Sequence, residues 1–491
     1  MSIKLFTIGD SISQGFIHGG AARTDAAYST LVAQALGIPG YQYLNWGEQR
    51  LMIDLEAVFR ELQAKRGNDI AGLEWVAAAF DIDHVLDGWE DYFERGLGSL
   101  GTPVGSPQPY FHNVAVEGMT VADAWLVTPE LCSAMVNSNP NRTKDDLFGI
   151  PSEPFYRNAY RVLNPQALPD HRLKSPLEWL EFHCSQGGVE NLFLWLGANN
   201  ALGTVTELKI KQTPGDGTTS LRANRKTRGS WNLWHPWDFE VEYDLLLSKL
   251  ADAVGDNGGQ DCHVFVATVP LVTIAPVTRG IGEPRIITDP SGRTSRQFRY
   301  FQDYTYFFLS DKLADDMHLK LSFSDALFID KTIIEFNNII ERLVQKENVM
   351  PRNARLKFHL VPLSDCLTDM AWKRNSGEPP YAYPPEFQWL YPPVNTKYYD
   401  VDAQGRQVAG GLFGLDGIHP SVIGQGIIAQ EFLKAMREAG RAAPANALNW
   451  PDIFAADSLR TQPLRLMHEL YENEGLIRFL SFVFSLFSKK S

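Results

Sequence analysis

Three short segments carry residue types that could together activate a hydroxyl and hold a negative charge. The first is Gly9-Asp10-Ser11-Ile12-Ser13, a glycine-turned hydroxyl directly after an apolar run. In α/β sheets this position lies outside the carboxyl end of a strand, where ligands bind. A following helix start would aim backbone N–H donors at a developing anion. The second is Gly197-Ala198-Asn199-Asn200, after Leu192-Phe193-Leu194-Trp195-Leu196. An asparagine amide there can donate to an oxyanion. The third is Asp416-Gly417-Ile418-His419-Pro420, where a carboxylate three residues before an imidazole can orient it as a base. Each segment also has a plain reading: Gly-Asp-Ser as a cap, Asn199 as an Asx-turn, and Asp416 with His419 as a structural pair or metal ligands. In combination, Asp416 and His419 can activate Ser11 while Asn199 and backbone amides hold an oxyanion.

The elements that must position these residues follow from pattern. Apolar runs at 3–8, 110–116, 192–196, 264–269 and 358–361 predict strands, most of them stopped by glycine or proline. Helical periodicity predicts helices near 25–36, 51–65, 120–135, 240–254 and 328–344, and less regularly over 71–98. Strands alternating with helices predict an α/β sheet covered on both faces. The proline-rich stretch 378–393 cannot be an ordinary helix or central strand. It is expected as a flap over a pocket or an inert surface loop.

With these blocks in place, the chain resembles the SGNH hydrolases, the GDSL esterase/lipase family. Gly9-Asp10-Ser11-Ile12 resembles the nucleophile block, with Ile12 where the family usually has leucine. Gly197-Ala198-Asn199-Asn200 resembles the GxND block, with Asn200 in place of the usual aspartate, and Asp416-Gly417-Ile418-His419 resembles the DxxH block. The resemblance implies a three-layer α/β/α sandwich around a mainly parallel five-stranded, flavodoxin-like sheet. It also implies a serine hydrolase cleaving carboxylic esters through an acyl-enzyme, as a lipase or esterase. Ser11 would then be the nucleophile, His419 the base and later acid, and Asp416 its orienter. Asn199 and the Ser11 and Gly118 amides would form the oxyanion hole. Gly118 ends Asn113-Val114-Ala115-Val116-Glu117-Gly118, which looks like the family's glycine block, and Gly47 is the alternative. A carbohydrate O-acetyl esterase and a non-catalytic binding or scaffold protein are the competing functions.

The 217 residues between Asn199 and Asp416 exceed what a compact domain of this kind needs. A single domain over 1–440 is therefore expected, with insertions near 40–109, 205–238, 275–325 and 370–410, followed by a helical extension at 441–491. The insertions bring Trp231, Trp234, Trp237, Tyr381, Tyr383, Trp389 and Tyr391, suited to packing an acyl chain, stacking on a sugar or filling a core.

A hydrophobic content of 44% excludes a wholly disordered chain, and a net charge of −13 weighs against nucleic acid as a partner. Cys132, Cys184, Cys262 and Cys366 form no CxxC pair, so buried thiols are expected rather than disulfides or a zinc site. His18, His84, His112 and His183 lack ligand-like spacing. No cofactor or metal is expected, and the partner is a small-molecule or lipid ester. Lys4 leads into too short an apolar run for a signal peptide, so a cytoplasmic location is expected. The apolar tail at 476–487 is expected either to bury itself against the chain or to lie on a membrane surface or partner.

Overall fold

A computed structural model describes residues 2–106, 109–217, 225–376, 378–444, 446–470 and 473–490. Residues 218–224 of the excursion expected at 205–238 lie outside the described residues, as do 107 and 108 in the 40–109 segment and 377 in the 370–410 segment.

Four strands form the central sheet: β1 (Phe6–Gly9), β2 (Asn191–Trp195), β3 (Cys262–Ala267) and β4 (Leu356–Val361). They lie side by side in that order, and every neighbouring pair is parallel. Alternate side chains enter opposite layers. Phe6, Ile8, Leu192, Leu194, Val264 and Val266 face one core, whereas Leu5, Phe193, Trp195, Phe265, Ala267 and Val361 face the other. Both faces are covered and mostly buried, which explains why the strands read as continuous apolar runs.

The first face is covered by α1 (Pro176–Gln186), α2 (Pro236–Val254) and α3 (Phe323–Val349). A capping box at Ser322 and Asp325 starts α3, and Ile329, Ile333, Phe336, Ile340 and Leu343 form its buried stripe. The second face is covered by the helices Tyr28–Ala35 and Val422–Glu438. There the Phe432 ring stacks 4.6 Å from Tyr28 and lies 4.4 Å from Phe193. The result is a three-layer α/β/α architecture.

The expected fifth strand is the main departure. Residues 112–116 run beside β1, with Thr7 N–H donating to His112 O (2.8 Å), Val114 N–H to Thr7 O (3.0 Å) and Val116 N–H to Gly9 O (3.2 Å). Only Thr7 and Asn113 form a bridge pair. The Asn113 carboxamide accepts from Ala115 N–H at 3.0 Å and donates to Ser13 O at 2.8 Å, which turns the segment away from regular strand geometry.

The segments expected as insertions carry structure of their own. Helices Leu55–Arg66 and Glu74–Glu94 occupy 40–109. A three-stranded antiparallel sheet and a hairpin (Arg285–Thr288 with Gln297–Tyr300) occupy 275–325. The proline-rich stretch docks on the helical layer: Phe387 packs on Trp450 and Phe454, and Tyr381 hydroxyl bonds Glu431. Trp234 is buried, whereas Trp389 and Tyr391 stand in solvent.

The C-terminal helix Glu474–Lys490 corrects one expectation. Leu476, Leu480, Val483 and Phe484 are buried by the chain itself. Phe479 meets Phe59, Phe482 meets Phe148, and Phe484 packs among Tyr306, Phe307 and Phe308. Among the described residues no helix is long and apolar enough to cross a membrane. The expected contact with a membrane or partner through this helix does not hold: among the described residues its apolar side packs against the chain itself.

Candidate active site

The first two sequence segments meet at the carboxyl ends of β1 and β2, and the third is linked to the first through Phe16 and Gln425. Gly9 ends β1 where a Cβ would lie 2.1 Å from Ser13 Oγ and 3.0 Å from Trp195 O, so only glycine fits. Asp10 then caps the short helix Ser11–Gln14, accepting from Ile12 N–H at 3.2 Å. Ser13 Oγ shares a hydrogen bond with the buried Tyr28 hydroxyl (2.9 Å), and Gln425 Nε2 donates to Ile12 O (3.0 Å). These bonds fix the turn that carries Ser11, itself 5% exposed.

Asn199 lies in the turn after β2. Its Nδ2 donates to Met119 O (2.9 Å) and stands 3.3 Å from Asp10 Oδ2. One carboxamide thus ties together the residue before Ser11 and the residue after Gly118. Asn200 accepts from Val121 N–H at 3.3 Å and is wholly buried, a framework role. Gly118 has φ +75, a conformation that favours glycine, with Phe155 and Arg225 beside it. Gly47, the alternative, sits in an exposed turn with its N–H taken by Asn45 (3.0 Å).

Asp416 and His419 form a buried pair, His419 Nδ1 to Asp416 Oδ2 at 2.6 Å. The other carboxylate oxygen accepts from the N–H groups of Ile418 (2.8 Å) and His419 (3.0 Å). Burial would raise the Asp416 carboxyl, but the facing imidazole and these N–H donors hold it below the usual range. Burial works against charge on His419 too, yet Asp416, then Asp10 and Glu117, raise its proton affinity above the ordinary 6.5. Asp10, buried and opposed chiefly by the Ile12 N–H and His419, is pushed up to about 7. Asp10 and Glu117 thus act on His419 electrostatically, and the Phe16 ring lies 5.9 Å from that of His419. No hydrogen bond joins Ser11 Oγ to His419 in this structure.

Two supports of the 414–419 loop carry no signal in the sequence. His18, at φ +60, accepts from Leu415 N–H at 3.0 Å through Nδ1, and its Nε2 meets Glu56 Oε2 at 2.9 Å. Its burial opposes charge but the Glu56 carboxylate prevails and raises it. On the other side, Val277 N–H donates to Gly417 O (2.7 Å), in a turn held by buried Lys373 Nζ bonding Ala275 O (2.6 Å) and Thr278 O (2.7 Å). His112 and His183 instead pack in an aromatic cluster with Tyr110, Trp179 and Phe182. Burial lowers both, to about 4 and about 3. The four cysteines are buried free thiols.

The arrangement offers a hydroxyl at a strand end, an oriented imidazole of raised basicity, and an amide beside a glycine turn. No family model, curated protein or solved structure matches the chain.

Proposed function

We propose that the protein is a serine hydrolase of carboxylic esters, working as the resemblance to the SGNH hydrolases implies. The supporting observation is the buried Asp416–His419 pair at 2.6 Å, whose imidazole is electrostatically coupled to the residue preceding Ser11. His419 takes the Ser11 proton as Oγ attacks the ester carbonyl, and the charge on Asp416 stabilises the resulting imidazolium. Negative charge moves to the carbonyl oxygen, toward the backbone N–H groups of Ser11 and Gly118 and the Asn199 amide. For Asn199 to serve, its longer 3.3 Å contact with Asp10 gives way while the Met119 bond still orients the group. The imidazolium then protonates the departing alcohol, and water repeats the sequence to release the acid.

Turnover of short p-nitrophenyl esters by wild type and Ser11→Ala tests this reading. Loss of turnover in a variant with unchanged circular dichroism and melting temperature is expected. Equal turnover by a folded Ser11→Ala protein would overturn the assignment of Ser11.

A further inference from the structure

We infer that the ester cleaved at this site carries a single negative charge, a carboxylate on its acyl or alcohol part, bound by Arg225. The inference rests on the hydrolase reading above and names its substrate class. The helix Arg225–Arg228 belongs to the long excursion after β2, and nothing in the three sequence blocks points to it. Arg225 Nη2 donates to Gly118 O at 3.0 Å, and its Cζ stacks 3.4 Å from the Phe155 ring centre. A rigid guanidinium therefore stands one peptide group from the proposed oxyanion donor.

The charge count is uneven among the described residues. Both arginines use one counter-ion, buried Asp123: Arg225 Nη1 bonds its Oδ2 and Arg228 Nη2 its Oδ1. Asp123 Oδ2 also accepts Thr120 N–H (2.8 Å) and Thr120 Oγ1 (3.0 Å), so the carboxylate has little capacity left. One positive charge is in excess. The donor count is uneven as well. A guanidinium carries five N–H groups. Arg225 spends one each on Asp123 and Gly118 O and is a quarter exposed at 24%. Arg228 is only 4% exposed, yet its Nε and Nη1 have no hydrogen-bond partner among the described residues. Those two atoms are closed to solvent, so Arg228 holds Asp123 from within, and the part-exposed Arg225 is the guanidinium that can meet a bound carboxylate. The single surplus charge matches a monoanion rather than a phosphate dianion. The ester is thereby oriented with its charged end toward Arg225, beside the Gly118 peptide.

The test compares p-nitrophenyl hemiglutarate with neutral p-nitrophenyl valerate on wild type, Arg225→Met and Arg225→Lys. Wild type is expected to prefer the anionic ester at least tenfold in kcat/KM, a ratio that shrinks with added salt. Arg225→Met should bring the ratio to about one, and Arg225→Lys should restore part of it. A wild-type ratio near one, or an Arg225→Met change that lowers both esters equally, overturns the inference and leaves Arg225 only as a support for Gly118. Thermal shift with monomethyl glutarate gives a second readout that needs no turnover: stabilisation lost in Arg225→Met supports the site, and absence of stabilisation in wild type counts against it. Failure of the hydrolase reading shows separately, as no turnover of either ester with the thermal shift intact.

Discussion

Replacing Asp10 with asparagine gives a stability change whose sign reverses with pH. The Asp10 carboxyl is 3% exposed, and among the described residues no lysine or arginine pairs with it. It titrates near 7 in the fold against an ordinary 3.8. The folded state therefore holds a proton that the unfolded chain has lost between these values. Stability falls as pH rises through that window and levels off above it. At about 1.4 kcal/mol for each tenfold difference in proton affinity, the ionised carboxylate costs the fold on the order of 4 kcal/mol at pH 8. A neutral carboxamide in its place would carry no such penalty. It keeps an acceptor for Ile12 N–H but can set an amide against that of Asn199, an offset of about 1 kcal/mol. Asp10→Asn should accordingly be about 2–3 kcal/mol more stable than wild type at pH 8 and no more stable at pH 4.5. Urea denaturation at four pH values measures this directly. A difference that is flat with pH, or a variant weaker than wild type at pH 8, would show that Asp10 is not the buried, unpaired acid described here.

Other expectations follow from the same geometry. Because Asp416, Asp10 and Glu117 raise His419, the acylation rate should climb with pH through a midpoint above 6.5, as the imidazole becomes neutral. Asp416→Asn should move that midpoint downward and slow acylation by on the order of 10³–10⁴, read from pH–rate profiles. Asn199→Ala should reduce kcat by about 10²–10³, the scale of losing one oxyanion donor, with a smaller change in KM. Phe484→Ala in the C-terminal helix should cost about 3–5 kcal/mol in chemical denaturation, since the ring is 1% exposed between Tyr306 and Phe308. A loss under about 1 kcal/mol would contradict that packing.

What the sequence revealed was local. The apolar runs of β1 to β4, their glycine or proline stops, and the Asp416–His419 spacing each lie within a few residues. The sheet, its parallel sense and that pair were readable for this reason. The edge segment at 112–116 was misjudged because Asn113 bonds its own backbone and Ser13 O, a competition that apolar periodicity does not register. The tail left two readings open, burial against the chain or contact with a membrane or partner. A helix apolar on most sides does not say what covers it, and its cover comes from Phe59, Phe148 and residues 306–308. His18 beneath the Asp416 loop and Arg225 beside Gly118 were illegible for the same reason: their partners lie 397 and 107 residues away.

The central claim, that Ser11 is a nucleophile activated by His419, is tested most directly by covalent labelling with a neutral fluorophosphonate and mapping of the adduct by mass spectrometry. The adduct is predicted on Ser11 and should be lost in a folded His419→Ala variant. An adduct on another residue, or ester turnover with no adduct at all, would contradict the account.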